Sequence, residues 1–150
     1  MKPKFNVIDL FCGCGGLSKG FEQAGFHVLL GIDFEQSALD TFEKNHTASK
    51  AIRLDLSQDE AFEVIDASLN GQTVDVIIGG PPCQGFSLTG PRNFEDKRNE
   101  LYLAVFKAVK KYSPQAFRMG KILSPTRFCR EVGNPLPSHL KTPYNLILDV

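Results

Sequence analysis

The sequence predicts an α/β fold, a doubly wound and mostly parallel sheet with helices on both faces. Short apolar segments alternate with segments of helical periodicity, and short loops join them. That alternation is typical of β-α-β units, whose right-handed crossovers build such a sheet. Ligands bind these sheets beyond the carboxyl ends of the strands, and most of the unusual residues of this chain fall there.

Four strands are predicted from apolar runs bounded by turn residues. The runs are 5–11, 27–33, 52–56 and 74–78. A fifth run begins at 113–117 but is interrupted by Arg118 and Gly120, and the residues beyond it show no clear periodicity. We therefore expect one folded portion over 1–117 and an irregular tail over 118–150, which leaves the sheet incomplete at its C-terminal end.

Helices are predicted between the strands from apolar residues that recur on one face. The first covers 17–24, and the third begins with a capping-box sequence, Ser57 to Glu60, and ends at Gly71. The apolar faces of the second, third and fourth helices are Ala38, Leu39 and Phe42, then Phe62, Ile65 and Leu69, then Leu101, Val105, Ala108 and Tyr112.

Composition favours a single globular domain. The 150 residues are 42% apolar and 23% charged, with no apolar run long enough to cross a bilayer and no signal peptide at the N-terminus. A cytosolic location is therefore expected. Residues 1–75 carry 6 Lys and Arg against 12 Asp and Glu, whereas residues 76–150 carry 11 against 5. The basic second half is compatible with a polyanionic partner.

The four cysteines are too few and too irregularly spaced for a disulfide framework. Cys12 and Cys14 flank a glycine, but no second pair of Cys or His accompanies them at ligand spacing, so we expect no metal site. Instead we expect both side chains to pack in a tight turn.

A glycine-rich turn follows the first strand. The order strand, Gly-x-Gly-Gly at 13–16, helix is typical of nucleotide-binding sites, because glycine lets the backbone approach a ligand and a helix N-terminus favours a negative group. Asp33, at the end of the second strand, can accept hydrogen bonds from two ribose hydroxyls. Phe34 is suited to stack on a purine, although an isolated phenylalanine is more often a core residue, and Asp55 is suited to accept from an exocyclic amine. These residues predict a nucleoside cofactor, without separating a dinucleotide from S-adenosylmethionine.

The loop from Gly79 to Ser87 carries the most specific signal. Two prolines stiffen the backbone before Cys83, and glycines on both sides leave room for a flat ligand. Such a loop presents a rigid, accessible thiol, whereas a structural cysteine more often lies within an apolar run.

Three segments together resemble the cytosine-5 DNA methyltransferase family. DLFCGCGGL at 9–17 is similar to the first motif of the family, PPCQ at 81–84 to its catalytic motif, and DxRxxL at 96–101 to the motif that follows. They occur in the order of the family, and Cys12 stands where the family often has alanine. The resemblance implies a Rossmann-like fold and methyl transfer from S-adenosylmethionine to carbon 5 of a flipped cytosine in double-stranded DNA, in an enzyme of the bacterial restriction-modification type that is met at the nucleoid.

The resemblance also implies a role for each matching residue. Cys83 would be the nucleophile, because carbon 5 of cytosine attacks a methyl group only after a thiolate has added to carbon 6. Gln84 and Ser87 would approach the DNA. The expected cofactor contacts are Phe11, Gly13, Gly15, Gly16 and Leu17 at the methionine end, Asp33 at the ribose, Phe34, Asp55 and Leu56 at the adenine, and Pro82 and Leu101 closing the pocket.

The chain departs from the family pattern in its last third. The glutamate of the family, in a Glu-Asn-Val motif that contacts ring nitrogen 3, should fall at 120–122, where this chain has Gly-Lys-Ile. A general acid contributes about 10²–10⁴-fold in rate, so methyl transfer by this chain alone is expected to be impaired. No segment corresponds to a target recognition domain, so a second polypeptide that supplies it is one expectation. Residues 130–137 are either a remnant of the closing motif of the family, with Asn134 near the cofactor, or a chance match.

Three alternatives remain beside the leading hypothesis. The first is a non-catalytic protein or subunit that binds S-adenosylmethionine. The second is a tRNA cytosine-5 methyltransferase, although Gly-Phe-Ser at 85–87 favours the DNA branch. The third is a nicotinamide-dependent dehydrogenase, which leaves the PPCQ loop unexplained.

Overall fold

Strands and helices alternate along the whole of the described chain. The computed structural model describes residues 5–81 and 98–119. The elements are β1 (Asn6–Leu10), α1 (Gly16–Gln23), β2 (His27–Asp33), α2 (Gln36–Asn45), β3 (Lys50–Arg53), α3 (Ala61–Leu69), β4 (Val76–Gly79), α4 (Arg98–Tyr112) and β5 (Ala116–Met119). The strands form one parallel sheet in the order β3-β2-β1-β4-β5. The predicted doubly wound α/β fold is confirmed.

The sheet separates two apolar layers. Ile8 of β1 packs with Ile65 of α3 and Val105 of α4 on one face, whereas Val7 of β1 packs with Phe42 of α2 on the other. Helices α1 and α2 thus cover one face, and α3 and α4 cover the opposite one. Buried members of the predicted apolar faces are Leu39, Phe42, Phe62, Ile65, Leu69, Val105 and Ala108. Within residues 5–81 and 98–119, no helix combines the length and apolarity needed to cross a membrane.

The segment after β3 differs from its prediction. β3 ends at Arg53, so Asp55 lies in a loop rather than in the predicted strand over 52–56. The predicted capping box is wrong, because α3 begins at Ala61 and the residue before it, Glu60, forms no side-chain cap bond. The Ser57 hydroxyl instead donates to Asp55 Oδ1 at 2.7 Å. A bond to a carboxylate is roughly twice as strong as a bond between neutral groups, which favours this partner over the helix amide.

A fifth strand is present. β5 pairs in parallel with β4, and Arg118 lies opposite Ile78, so the predicted interruption of the strand at Arg118 is wrong. Phe117 is buried while Arg118 is half-buried, as expected for a strand whose side chains alternate between two environments. β5 therefore continues past the boundary expected after residue 117. The remainder of the expected tail, residues 120–150, lies outside the described residues.

Phe42 of α2 rests directly on the backbone of β2. A Cβ atom built on Gly31 would lie 2.3 Å from the Phe42 ring. The ring has no exposed surface. Glycine at position 31 therefore allows α2 to approach the sheet closely enough to bury this ring.

We expect Gly31→Ala to lower the free energy of unfolding by about 1–3 kcal/mol, because the added methyl group overpacks the contact with Phe42. Gly20→Ala is the matched control, since no atom lies within 4 Å of a Cβ built on Gly20 in α1. That change should be neutral or should stabilise by up to about 1 kcal/mol. Urea denaturation of both variants measures the difference. Equal effects at the two positions would contradict the close approach of α2.

Candidate functional site

The turn between β1 and α1 uses the left-handed backbone region three times. Phe11, Gly13 and Gly15 have φ angles of 63°, 54° and 86°. Glycine adopts such angles freely, whereas Phe11 is disfavoured there by about 1–2 kcal/mol. The Gly15 N–H donates to the Cys12 carbonyl at 2.9 Å and closes the turn just before α1 begins. A non-glycine residue held in this region is a feature that clusters at functional sites.

Asp33, at the end of β2, is bonded to this turn. Its Oδ2 accepts a hydrogen bond from the Gly13 N–H at 2.8 Å, and its Oδ1 accepts one from the Glu35 N–H at 2.9 Å. Each carboxylate oxygen can accept a second hydrogen bond, so both can still receive hydroxyl groups of a ligand. The structure thus joins two segments that are 20 residues apart.

Asp55 and Phe34 lie beside Asp33. The hydroxyl and the N–H of Ser57 donate to Asp55 Oδ1, and these two bonds lower the pKa of Asp55. Asp55 is therefore an ionised acceptor at neutral pH. Phe34 is 60% exposed, with the Arg53 guanidinium 5.4 Å from its ring centroid. The alternative that Phe34 belongs to the core is wrong.

A cavity of about 540 Å³ opens at the carboxyl edge of the sheet. It lies at the boundary between β1 and β4. The strands that follow β1 are added to one side of the sheet, and β4 and β5 are added to the other, and such a reversal is the usual ligand position in these folds. A volume of this size is typical of small-molecule sites. The lining residues are Phe11, Gly13, Asp33, Phe34, Leu54, Asp55, Leu56, Gly80 and Leu101.

Two lining residues, Leu54 and Gly80, are not among the predicted cofactor contacts. Leu54 was assigned to the interior of a strand, but β3 ends one residue before it. Gly80 follows β4, and its N–H donates to the Leu10 carbonyl at 3.2 Å, which holds the end of β4 at the same edge. The rule that ligands meet strand ends was sufficient to find Gly80, whereas Leu54 required the observed end of β3.

The remaining predicted residues do not line this cavity or cannot be placed. Gly16 and Leu17 lie in the first turn of α1, whose N–H groups have no partner within the helix and suit a negative group. Gly15 faces elsewhere, since a Cβ atom built on it would lie 2.2 Å from His46 Nε2. Outside the described residues lie Pro82, Cys83, Gln84 and Ser87.

A buried carboxyl group lies below the turn. Asp9 of β1 is 1% exposed, and its Oδ2 accepts a hydrogen bond from Ser18 Oγ of α1 at 2.6 Å. Burial raises the pKa of Asp9 to about 7. The hydrogen bond from Ser18 lowers this pKa, and the negative charge of Asp33 raises it further. The bond fixes α1 to the central strand, but ionisation of this carboxyl destabilises the fold.

The two cysteines of the turn differ in their environments. Cys12 is buried and Cys14 is exposed, so the prediction that both pack in the turn is wrong for Cys14. Burial, with the nearby charges of Asp9 and Asp33, raises the pKa of the Cys12 thiol far above its usual value. Cys12 therefore remains a neutral thiol with the character of a small packing residue.

Sheet order and the position of the cavity define a Rossmann-like protein of the kind that binds nucleoside cofactors. Comparison with known protein families identifies one family within this class. The family described as C-5 cytosine-specific DNA methylase matches residues 5–120, and the chain belongs to it. The predicted resemblance is confirmed, and the dehydrogenase alternative is left without support.

Relatives with known names agree with this assignment. The chain is 41% identical over 125 residues to the type II methyltransferase M.AgeI of Thalassovita gelatinovora and 42% identical over 118 residues to M.DdeI of Desulfomicrobium norvegicum. These alignments cover 78% and 79% of this chain but 28% of each relative. The chain therefore spans less than a third of their length.

A solved structure matches as well. A protein described as a DNA modification methyltransferase encoded within an E. coli prophage is 36% identical, with a TM-score of 0.67. The match covers 85% of this chain and 36% of that protein.

We expect Asp9→Asn to stabilise the protein at high pH. The pKa of Asp9 is raised from 3.8 to about 7 in the fold, so its contribution to stability is fully present below about pH 4 and is lost as the pH rises through 7. Asparagine keeps an acceptor for Ser18 and does not ionise. The gain over the unmodified chain should reach roughly 3–4 kcal/mol at about pH 8 relative to about pH 4.

Denaturation of the two proteins at both pH values measures this gain. Glu43→Gln makes the same change from carboxyl to amide at an exposed position on α2, and the gain of Asp9→Asn at about pH 8 should exceed the effect of this control. If the gain of Asp9→Asn were the same at both pH values, Asp9 would not be the buried titrating group described above.

Proposed function

We propose that this chain supplies the S-adenosylmethionine site and the attacking cysteine of a DNA cytosine-5 methyltransferase of the bacterial type II kind. The observation that carries the proposal is the cavity in which two carboxylates and an exposed aromatic ring converge. Asp33 offers acceptors for ribose hydroxyls, Asp55 offers an acceptor for an amine, and Phe34 offers a flat apolar face. Adenosine has all three complementary features, so the donor set of the site fits this cofactor.

The methionine end of the cofactor is proposed to lie along the turn between β1 and α1. Leu56 and Leu101 line the apolar part of the cavity, and Phe11 and Gly13 lead from it toward α1. The N-terminal amides of α1, at Gly16 and Leu17, suit the carboxylate of the methionine end. Pro82, which follows Gly80 and Pro81 in the chain, is proposed to close the pocket.

Cys83 is proposed as the nucleophile in methyl transfer. Its thiolate adds to carbon 6 of the cytosine, and the electron pair moves to carbon 5, which then takes the methyl group. The bound cofactor supplies that methyl group on a positively charged sulfur. Loss of the carbon 5 proton and departure of the thiolate restore the aromatic ring. The base must be flipped out of the duplex to be reached, and Gln84 and Ser87 are proposed to contact the DNA near it.

DNA is the proposed substrate because the relatives with the highest identity given above are type II methyltransferases. The enzyme would meet this substrate at the nucleoid in the cytoplasm. A second polypeptide is one source for the part that recognises the target sequence.

We expect Asp55→Asn to replace one hydrogen-bond acceptor of the cavity with a donor. The amide oxygen can keep the bonds from Ser57, so the NH₂ group takes the position of the second carboxylate oxygen and faces the adenine amine as a donor. Affinity for S-adenosylhomocysteine should fall by about tenfold or more. S-inosylhomocysteine, which has a carbonyl oxygen in place of the amine, should lose much less affinity.

Isothermal titration calorimetry measures both ligands against both proteins. Asp59→Asn is the matched control, because Asp59 lies in the same loop with 85% of its side chain exposed and pairs with Lys107. It should change neither affinity. Equal losses for the two ligands in Asp55→Asn would mean that Asp55 only shapes the loop.

We expect label from [methyl-³H]S-adenosylmethionine to reach DNA and not tRNA, and Cys83→Ala to abolish this transfer while leaving cofactor affinity unchanged. A general acid contributes about 10²–10⁴-fold in rate, so Gly-Lys-Ile at 120–122 predicts slow transfer that a single-turnover assay detects.

The same Gly-Lys-Ile segment favours the second candidate, a non-catalytic cofactor-binding protein. Cofactor binding without transfer, alone and with a recognition polypeptide, would support that candidate instead.

A further inference from the structure

His46 lies buried behind the glycine turn, immediately after α2. Its side chain has no exposed surface, and its ring stacks on Phe42 with centroids 4.3 Å apart. Its Nε2 lies 3.0 Å from the Gly15 carbonyl oxygen, and its Nδ1 lies 2.9 Å from Glu22 Oε1. None of the motifs used above includes this residue, yet it contacts the centre of the turn.

Both ring nitrogens of His46 face hydrogen-bond acceptors. A backbone carbonyl cannot donate, and an ionised carboxylate cannot donate either. Although burial acts to raise it, hydrogen bonds from His46 and Lys19 together lower the pKa of Glu22. Glu22 is therefore ionised, and both contacts are satisfied only when the ring carries a hydrogen on each nitrogen. A neutral ring would leave a lone pair directed at an oxygen.

We propose that His46 is a positioning residue that fixes the Gly15 carbonyl through Nε2 and thereby orients the first turn of α1 for cofactor binding. The Gly15 carbonyl also accepts the Lys19 N–H at 2.9 Å, which is the first hydrogen bond of α1. A shift of this carbonyl would therefore redirect the amides of Gly16 and Leu17. The inference rests on the proposed function, because it assumes that this turn binds the cofactor.

The charged groups around the ring come from the helices on either side of it. Glu22 of α1 is the charged side chain with which His46 pairs in the described part of the chain. Lys19 stands behind Glu22, with its Nζ 3.1 Å from Glu22 Oε2 and 3.3 Å from the Asn45 carbonyl. On α2 itself, Glu43 and Lys44 are exposed. The contact between His46 and Glu22 therefore joins α1 to the end of α2.

Loss of the hydrogen on either ring nitrogen breaks one of the two hydrogen bonds. In Glu22→Gln the side-chain amide can turn its NH₂ group toward Nδ1, so a ring that carries its hydrogen on Nε2 alone satisfies both partners. The Gly15 carbonyl then keeps its donor, and the cofactor affinity of that variant should be close to that of the unmodified chain.

Calorimetric affinities for S-adenosylhomocysteine test the proposal. His46→Leu removes both bonds and should lower affinity by about tenfold. His46→Gln keeps a donor near the position of Nε2 and should recover most of that loss. His27→Gln is the matched control, because His27 begins β2 at the opposite edge of the sheet, where it contacts Asn6. Its affinity should match that of the unmodified chain.

Nitrogen-15 NMR of the histidine rings tests the bond to Gly15 without any substitution. Nε2 of His46 should carry a hydrogen, and an Nε2 without one would overturn the inference. So would a His46→Leu variant that binds with unchanged affinity. Failure of the unmodified chain to bind the cofactor at any pH would instead overturn the proposed function.

Discussion

The left-handed turn between β1 and α1 is the constraint on which the site depends. Its amide and carbonyl groups fall outside regular secondary structure, so side chains from other elements hold them. Asp33 of β2 accepts from the Gly13 N–H, and His46 after α2 contacts the Gly15 carbonyl. Because these partners lie 20 and 31 residues along the chain, the turn acquires its shape only when the first β-α-β units have packed. The site is thus a product of tertiary structure.

The polar residues of the described core serve this same turn. Among the described residues, the buried polar side chains are Asp9, Ser18 and His46. Asp9 and Ser18 bond to each other and fix the start of α1, while His46 fixes the residue before it. An apolar side chain at position 9 would avoid the desolvation of a carboxyl but would leave the Ser18 hydroxyl without this acceptor. Stability is reduced here in favour of a fixed geometry, as is common at functional sites.

Sequence patterns predicted the features of the fold and the site that depend on the order of the strands and on where each strand ends. The run 27–33 matches β2 at both ends, and most of the cavity residues follow from the rule that ligands meet the carboxyl edge. Prediction failed where a tertiary or side-chain contact decided the outcome. The bond between Ser57 and Asp55 displaced the expected helix cap, and β5 forms because β4 offers it a parallel partner. His46 could not be predicted as a residue of the site, because a single histidine after a helix belongs to no motif and to no periodic pattern.

In the proposed function, cofactor binding and methyl transfer require different parts of the protein, and the described sheet would supply the first. The cavity is lined by residues at the ends of β1, β2, β3 and β4 and by Leu101 of α4. These elements already bury apolar layers on both faces of the sheet, so the lining is held by the described residues themselves. Recognition of a target base needs contacts with a duplex, which a cavity of this size cannot enclose. Under the proposed function, affinity for the cofactor is therefore separable from transfer and tests the site independently of the transfer rate.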